Sequence, residues 1–274
     1  MAESPDRALA RKLEEAEASA GEWCHAALRR FRQGTQAAVE RVAGGVVAYA
    51  GARSPLTRGR GLGMDGPVSA EEVDRLEHFF RSRGVPATLE LSPYADPTLL
   101  THLGRRGFAL TGFDHVLVRP ISGAERAPAQ TADLRVARAV SLDGDEWARV
   151  VAQGFADAAD ADAVDEDAVD MGRLLFHEDR VACFWAHAGG RPIAGGAMAI
   201  HGDLASMFGA STLPAHRGRG AQRALLETRL AHAAASGCEL ASVVTQPGTA
   251  SQRNAERAGF RVAYTRATLE KRWS

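Results

Sequence analysis

The stretch HRGRGAQRALLETRLAHAA, residues 216–234, decides how this chain is read. Neither Gly nor Pro interrupts the pattern from Ala221 to Ser236, and Leu226, Leu230 and Ala233 recur at helical spacing. The segment before it, DLASMFGAST at 203–212, has the composition of a strand, which Leu213 and Pro214 end. Glycines between a strand and a helix start leave backbone N–H groups open to an anion, at the positive end of the helix dipole. Gly218 and Gly220 remove side chains that would obstruct a phosphate, and Arg217 and Arg219 add charge.

An upstream twin, TRGRGLGMDGP at 57–67, repeats Arg-Gly-Arg-Gly in a different setting. Met64 to Val68 separate its glycines from the helix cap at Ser69, and Asp65 brings negative charge to the place an anion would take. Within it GLGMDG, Gly61 to Gly66, fits the G-x-G-x-x-G dinucleotide spelling, with Glu90 further along. That pattern should follow a strand directly and open a helix. Here the apolar GVVAYA ends at Ala50, and a loop containing Pro55 intervenes, so the expectation is a flexible connection without a ligand.

Composition narrows the function classes. The 33 basic and 34 acidic residues nearly cancel, which argues against a nucleic-acid surface. Cys24, Cys183 and Cys238 are far apart with no metal or disulfide spacing, as expected in a reducing cytoplasm. No apolar run is long enough for a membrane span, and the first residues, MAESPDRALARKLEEAEASAG, are charged from the start. A soluble intracellular protein with neither nucleic-acid nor membrane partner is expected.

The segment RPISGAERAPAQTADLRV, from Arg119 to Val136, reads as a linker. It divides the chain into domains at 1–120 and 133–274, joined by residues 121–132. The halves echo each other. The first has the helix SAEEVDRLEHFFRSRG with a capping box at Ser69 and Glu72, then the strand ATLEL, a short helix, Gly107-Phe108 and an apolar strand. The second has the long helix, the strand CELASVVT, a short helix, Gly259-Phe260 and a last apolar strand. Internal duplication explains the echo, and with two copies at low identity chance resemblance stays open.

Residues 133–273 resemble the GNAT superfamily of acyl-CoA-dependent N-acyltransferases. The signature of that superfamily, Arg/Gln-x-x-Gly-x-Gly/Ala entering a helix after a strand, falls on Arg217, Gly218, Arg219, Gly220, Ala221 and Gln222. Gln222 departs from the usual Gly or Ala, which implies altered packing around the diphosphate. The resemblance implies an α/β (α+β) protein of two GNAT-like domains. Each would have a mixed, mostly antiparallel sheet flanked by helices, the C-terminal one with a splayed central strand pair. The first domain would be a degenerate copy without a cofactor. The second would bind acetyl-CoA, with Ala210, Ser211 and Thr212 beside pantetheine and with Ser251 and Asn254 on the short helix near its arm. Ser251 as a helix cap and Asn254 as a solvated residue are equally good readings.

The implied activity is transfer of acetyl from acetyl-CoA to a primary amine of a small molecule. Backbone amides would stabilise the oxyanion, and a base would deprotonate the amine. The superfamily often places a general-acid tyrosine where this chain has Ala255. Tyr264 on the last strand is the substitute candidate, and His201 and Asp203 are candidate bases, with a plain turn as the other account of HGD. FADAADADAVDEDAVD, with seven acidic residues from Asp157 to Asp170, falls where the superfamily's first helices wall the acceptor side. It would attract a cationic amine, unless it is a solvated loop. Neither a metal site nor a nucleophile motif is expected. The alternatives are a non-catalytic acyl-CoA-binding protein and a dinucleotide enzyme using the Gly61 loop.

Overall fold

The computed structural model describes residues 5–31, 36–131, 133–156 and 165–273. They form two compact units: residues 1–116 with 262–274, and residues 117–261. Both are mixed α/β, with mostly antiparallel strands and flanking helices.

The first unit opens with α1 (Pro5–Phe31), 27 residues long. Its inner face includes Ala10, Leu13, Ala18 and Ala27, and also the buried Glu14 and His25. Strands β1 (Ala38–Val42), β2 (Gly45–Tyr49) and β3 (Arg58–Arg60) follow, then α2 (Ala70–Arg81), β4 (Ala87–Leu91), α3 (Pro97–Arg105) and β5 (Ala109–Pro120). The capping box at Ser69 and Glu72 forms as the spacing predicts. Val73, Leu76, Phe79 and Phe80 of α2 pack with Leu89, Leu91, Leu99 and Leu103 in one core.

The last strand of the chain, β11 (Arg261–Lys271), also belongs here for residues 262–271. It lies between β4 and β5 and pairs antiparallel with β4, Ala267 opposite Leu91 and Lys271 opposite Ala87. This corrects the expected boundaries. Leu269 and Trp273 pack on the core of the first unit, and the Trp273 indole N–H donates to Val85 O at 2.7 Å. The second unit begins at Leu117, inside β5, and Ile121, placed in the expected linker, donates to Glu239 O at 2.8 Å and packs on the core of that unit.

The first Arg-Gly-Arg-Gly is not a flexible connection. Arg58 to Arg60 form β3, and both arginines bind Glu90 on β4. Gly61, at φ +69°, lies against α1, where a Cβ would come within 3.3 Å of Ala18 Cβ and Glu14 O. Gly63 donates to Ala43 O and accepts from Asp96 N, both at 2.7 Å. Close helix approach at Gly61 and internal hydrogen bonds at Gly63 thus account for the first two glycines that spell a dinucleotide motif.

The second unit runs β6 (Arg135–Arg138), α4 (Gly144–Phe155), α5 (Glu166–Phe176), β7 (Val181–Ala188), β8 (Arg191–His201), β9 (Leu204–Thr212), α6 (Ala221–Ala235), β10 (Leu240–Thr245) and α7 (Ala250–Arg257). Its sheet has the order β10-β9-β8-β7-β6. Two adjacent glycines in β8 show how helices cover both faces. A Cβ at Gly195 would strike Val151 and Trp147 of α4, and one at Gly196 would meet Arg229 of α6. Successive strand residues face opposite sides, so α4 and α6 flank the sheet.

Candidate active site

Strands β9 and β10 are parallel, with Leu204 opposite Leu240 and the register ending at Met207 opposite Val243. Beyond that pair β9 continues to Thr212 and β10 to Thr245. The backbone edge of the last part of β9 that would face β10 is therefore open. The resemblance stated above implies such a splayed central pair.

A bulge in β9 coincides with the splay. Across β8 and β9 the register steps from Ala197 opposite Phe208 to Gly195 opposite Ser211. Gly209 and Ala210 together thus oppose Gly196, and Gly209 adopts φ +58°, a conformation glycine takes readily. Ala210, Ser211 and Thr212 all lie on the open segment. Ser211 Oγ donates to Val151 O of α4 at 2.8 Å, leaving the strand's own peptide groups as its contribution to a ligand.

Past Thr212 the chain makes a short 3-10 turn at Pro214–His216 and reaches the glycine loop. Gly218 and Gly220 adopt φ +78° and +82°, both loop glycines are exposed, and a Cβ at either would meet nothing within 4 Å. Gly220 is the N-cap of α6 and offers no side chain to its first turn. The first intrahelical bond, Ala224 N to Gly220 O at 3.0 Å, leaves the amides of Ala221, Gln222 and Arg223 without helical acceptors. Amide donors without helical partners at a helix start, behind two exposed glycines and beside two arginines, suit a diphosphate.

The two arginines of the loop differ in kind. Arg217 donates through Nη2 to Gly154 O at 3.0 Å and Ala156 O at 2.9 Å, and through Nε to Thr212 O at 3.3 Å. It ties the loop to the end of α4. Arg219 is exposed. Gln222, the departure from the superfamily signature, is accommodated because its Nε2 reaches back to Thr212 Oγ1 at 2.9 Å.

Because β9 and β10 are parallel, α7 begins at the same sheet edge as the glycine loop. Thr249 caps α7, accepting from Gln252 N at 3.3 Å, so Ser251 is not the cap. Ser251 is exposed, while Asn254 is half-buried and accepts from Arg257 at 3.3 Å. Ala255 is buried in the core.

Tyr264 is buried, and its hydroxyl is engaged. It lies in the first unit, where its hydroxyl donates to Glu14 Oε1 at 2.7 Å. Burial, with the Glu14 charge beside it, pushes the phenol well above its ordinary value. It belongs to an ion cluster in which Arg58, Arg60 and Arg266 surround Glu90 while Arg266 also binds Glu14. Alternate polar residues on β3 and β11 are the local trace of this cluster in the chain.

His201 ends β8 and Asp203 lies in the turn before β9, at the far end of that strand from the glycine loop. At about 3.3 Å per residue the separation is roughly 25 Å. Of the acidic stretch, residues 157–164 lie outside the described residues. Asp165 caps α5, Glu166 pairs with Arg149 at 3.1 Å, and Asp170 pairs with Arg173 at 2.9 Å.

A buried charge that the sequence pattern did not single out is Arg229. It is buried in α6, donating to Leu225 O at 3.2 Å, Ala197 O at 2.9 Å and Phe208 O at 3.5 Å. Burial pushes its guanidinium down to about 10, so it remains charged at neutral pH. Its spacing on the Leu226, Leu230, Ala233 stripe was the available signal.

Among the described residues no group of three His, Cys, Asp or Glu could hold a metal ion, and no helix is long and apolar enough to cross a membrane.

Residues 149–260 match the model of the Acetyltransferase (GNAT) family. A GCN5-related N-acetyltransferase from Kribbella flavida superposes with TM-score 0.65 at 18% identity, over 94% of this chain and 96% of that one. Another from Sphaerobacter thermophilus gives 0.59 at 16%, over 86% and 75%. A tandem GNAT protein from the clavulanic acid biosynthesis pathway gives 0.56 at 15%, over 83% and 73%. At these identities the likeness establishes the fold. No curated protein sequence matches the chain. The stretch that matches the acetyltransferase (GNAT) family model, residues 149–260, lies wholly inside the second unit and carries both the splayed strands and the glycine loop.

Proposed function

We propose that the second unit binds acetyl-CoA and transfers its acetyl group to a primary amine of a small molecule. The observation that carries this is the coincidence, at one end of the sheet, of an open β9 backbone and amides at the start of α6 that have no helical acceptor. Pantetheine would add to the free edge of β9 as a further strand does. The diphosphate would rest on the amides of Gly218 to Gln222, with Arg219 supplying charge. The first unit binds no cofactor in this reading. Arg58 and Arg60 on β3 are engaged with Glu90 on β4, and Gly63 of the neighbouring loop spends its amide on Ala43 O. The two units are a duplicated pair in which the first copy has lost its ligand.

In the reaction the amine nitrogen attacks the thioester carbon, the C–S bond breaks, and the amine proton is lost to a base. The thiolate that leaves takes a proton from solvent or from an acid. Peptide N–H groups on the open segment of β9 would stabilise the negative charge that builds on the carbonyl oxygen. Since Ala255 fills the usual tyrosine position, water is the proton donor consistent with the described residues.

Buried Ala255 and the engaged hydroxyl of Tyr264 favour one second reading, a non-catalytic acyl-CoA-binding protein. Acetyl-CoA titrated calorimetrically into the full chain, followed by thiol release with a panel of primary amines, separates the two. Micromolar binding with turnover on an amine is expected. Binding without turnover selects the second reading, and absence of binding rejects both.

A further inference from the structure

We infer that Arg229 is a positioning residue for acetyl transfer: from within α6 it clamps the bulge of β9 and sets a fixed positive charge behind the open strand edge. The inference rests on the acetyl-CoA reading of that edge.

Three independent features converge on this side chain. The guanidinium donates to the carbonyls of Ala197 and Phe208, which oppose each other at the step where the register shifts. Phe208 is also the first residue of β9 past its last pair with β10, so the clamp lies where the strands part. Gly196 makes room for it, since a Cβ there would lie 3.2 Å from Arg229 Cζ and 3.4 Å from Ala210 Cβ. Nothing at this place calls for a cation on structural grounds. Its acceptors, the carbonyls of Leu225, Ala197 and Phe208, are all neutral, and burial alone accounts for the lowered guanidinium. An apolar side chain of similar length would fill the same volume without the desolvation cost of a buried charge.

A buried charge does useful work when it faces charge that appears only during reaction. In a site with little water its field is weakly screened. The oxygen of a thioester lying along β9 gains negative charge as the amine attacks, and a fixed cation behind that strand favours this state over the neutral ground state. The same clamp fixes the bulge geometry, so the β9 amides are aligned before substrate arrives.

The test compares wild type with Arg229→Met, Arg229→Lys and Gly196→Ala in the full chain. Circular dichroism reports folding, calorimetry the acetyl-CoA Kd, and steady-state kinetics kcat and KM. The infrared stretch of 13C-labelled acetyl-CoA reports carbonyl polarisation without requiring turnover. In folded Arg229→Met the Kd should stay within about threefold, while kcat drops at least about tenfold. The carbonyl stretch should move to higher frequency, and Arg229→Lys should recover most of both. Unchanged kcat, or an unchanged stretch in bound acetyl-CoA, overturns the inference. If Arg229→Met fails to fold, Gly196→Ala decides: a loss in kcat or carbonyl polarisation with Kd preserved supports the role, and no loss refutes it. If wild type does not bind acetyl-CoA, the reading of the site itself falls, which is a distinct result.

Discussion

Arg217 holds the carbonyl oxygen of Gly154 at 3.0 Å, joining the glycine loop to the last turn of α4. The loop therefore has one arginine that fixes its shape and another, Arg219, that projects into solvent. A motif spelled with two like residues divides its work between them.

That division is measurable. Arg217→Ala should lower stability by about 1 kcal/mol, the scale of charge-assisted hydrogen bonds discounted for exposure. It should also weaken acetyl-CoA binding by roughly tenfold, because the loop is no longer held. Arg219→Ala should leave the melting temperature in place and weaken binding only several-fold, with the deficit shrinking as salt rises. Equal effects of both variants on the melting temperature contradict the assignment.

Gly220 makes a sharper case. At φ +82° any other residue is strained by about 1–2 kcal/mol, yet a Cβ meets nothing within 4 Å. Gly220→Ala should therefore cost stability and keep part of its acetyl-CoA affinity. Gly220→Glu adds negative charge where the diphosphate would sit, and should abolish the thermal stabilisation by acetyl-CoA seen in wild type. Retained stabilisation in the glutamate variant removes the diphosphate from this loop.

The ion cluster of the first unit predicts acid sensitivity. Burial alone would raise the Glu90 carboxyl, but the guanidiniums of Arg60, Arg266 and Arg58 outweigh it and hold the group well below the carboxylate range. A depressed native value means stability present above the unfolded value, about 4.3, and lost as pH falls through the native one. Urea midpoints should thus decline steadily below pH 4. Glu90→Gln leaves three arginines short of a partner and should destabilise by roughly 3–5 kcal/mol at neutral pH, with a flatter acid limb. An acid limb identical to wild type is the outcome that counts against this account.

Tyr264→Phe tests the correction to the catalytic residue. Removing a donor from buried Glu14 should cost about 1–3 kcal/mol of stability. The pH profile of acetyl transfer should not move. Loss of an alkaline or acidic limb in that profile would return Tyr264 to the reaction.

The sequence by itself determined local order. The capping box of Ser69 and Glu72, the helix from Ala221, the strand ending at Thr212 and the glycine loop between those two are each written within a few residues. Helix and strand periods and the left-handed preference of glycine act over that range, so they are legible without partners. Tertiary structure alone decided where β11 pairs, that Tyr264 and Arg266 join Glu14 and Glu90, and that Arg229 backs the bulge. It also decided between the two Arg-Gly-Arg-Gly copies, one a strand locked to Glu90 and the other an exposed helix entrance. Those outcomes depend on strand partners and buried counter-charges brought together from distant parts of the chain, and no local pattern encodes which residue across the sheet will answer a buried charge.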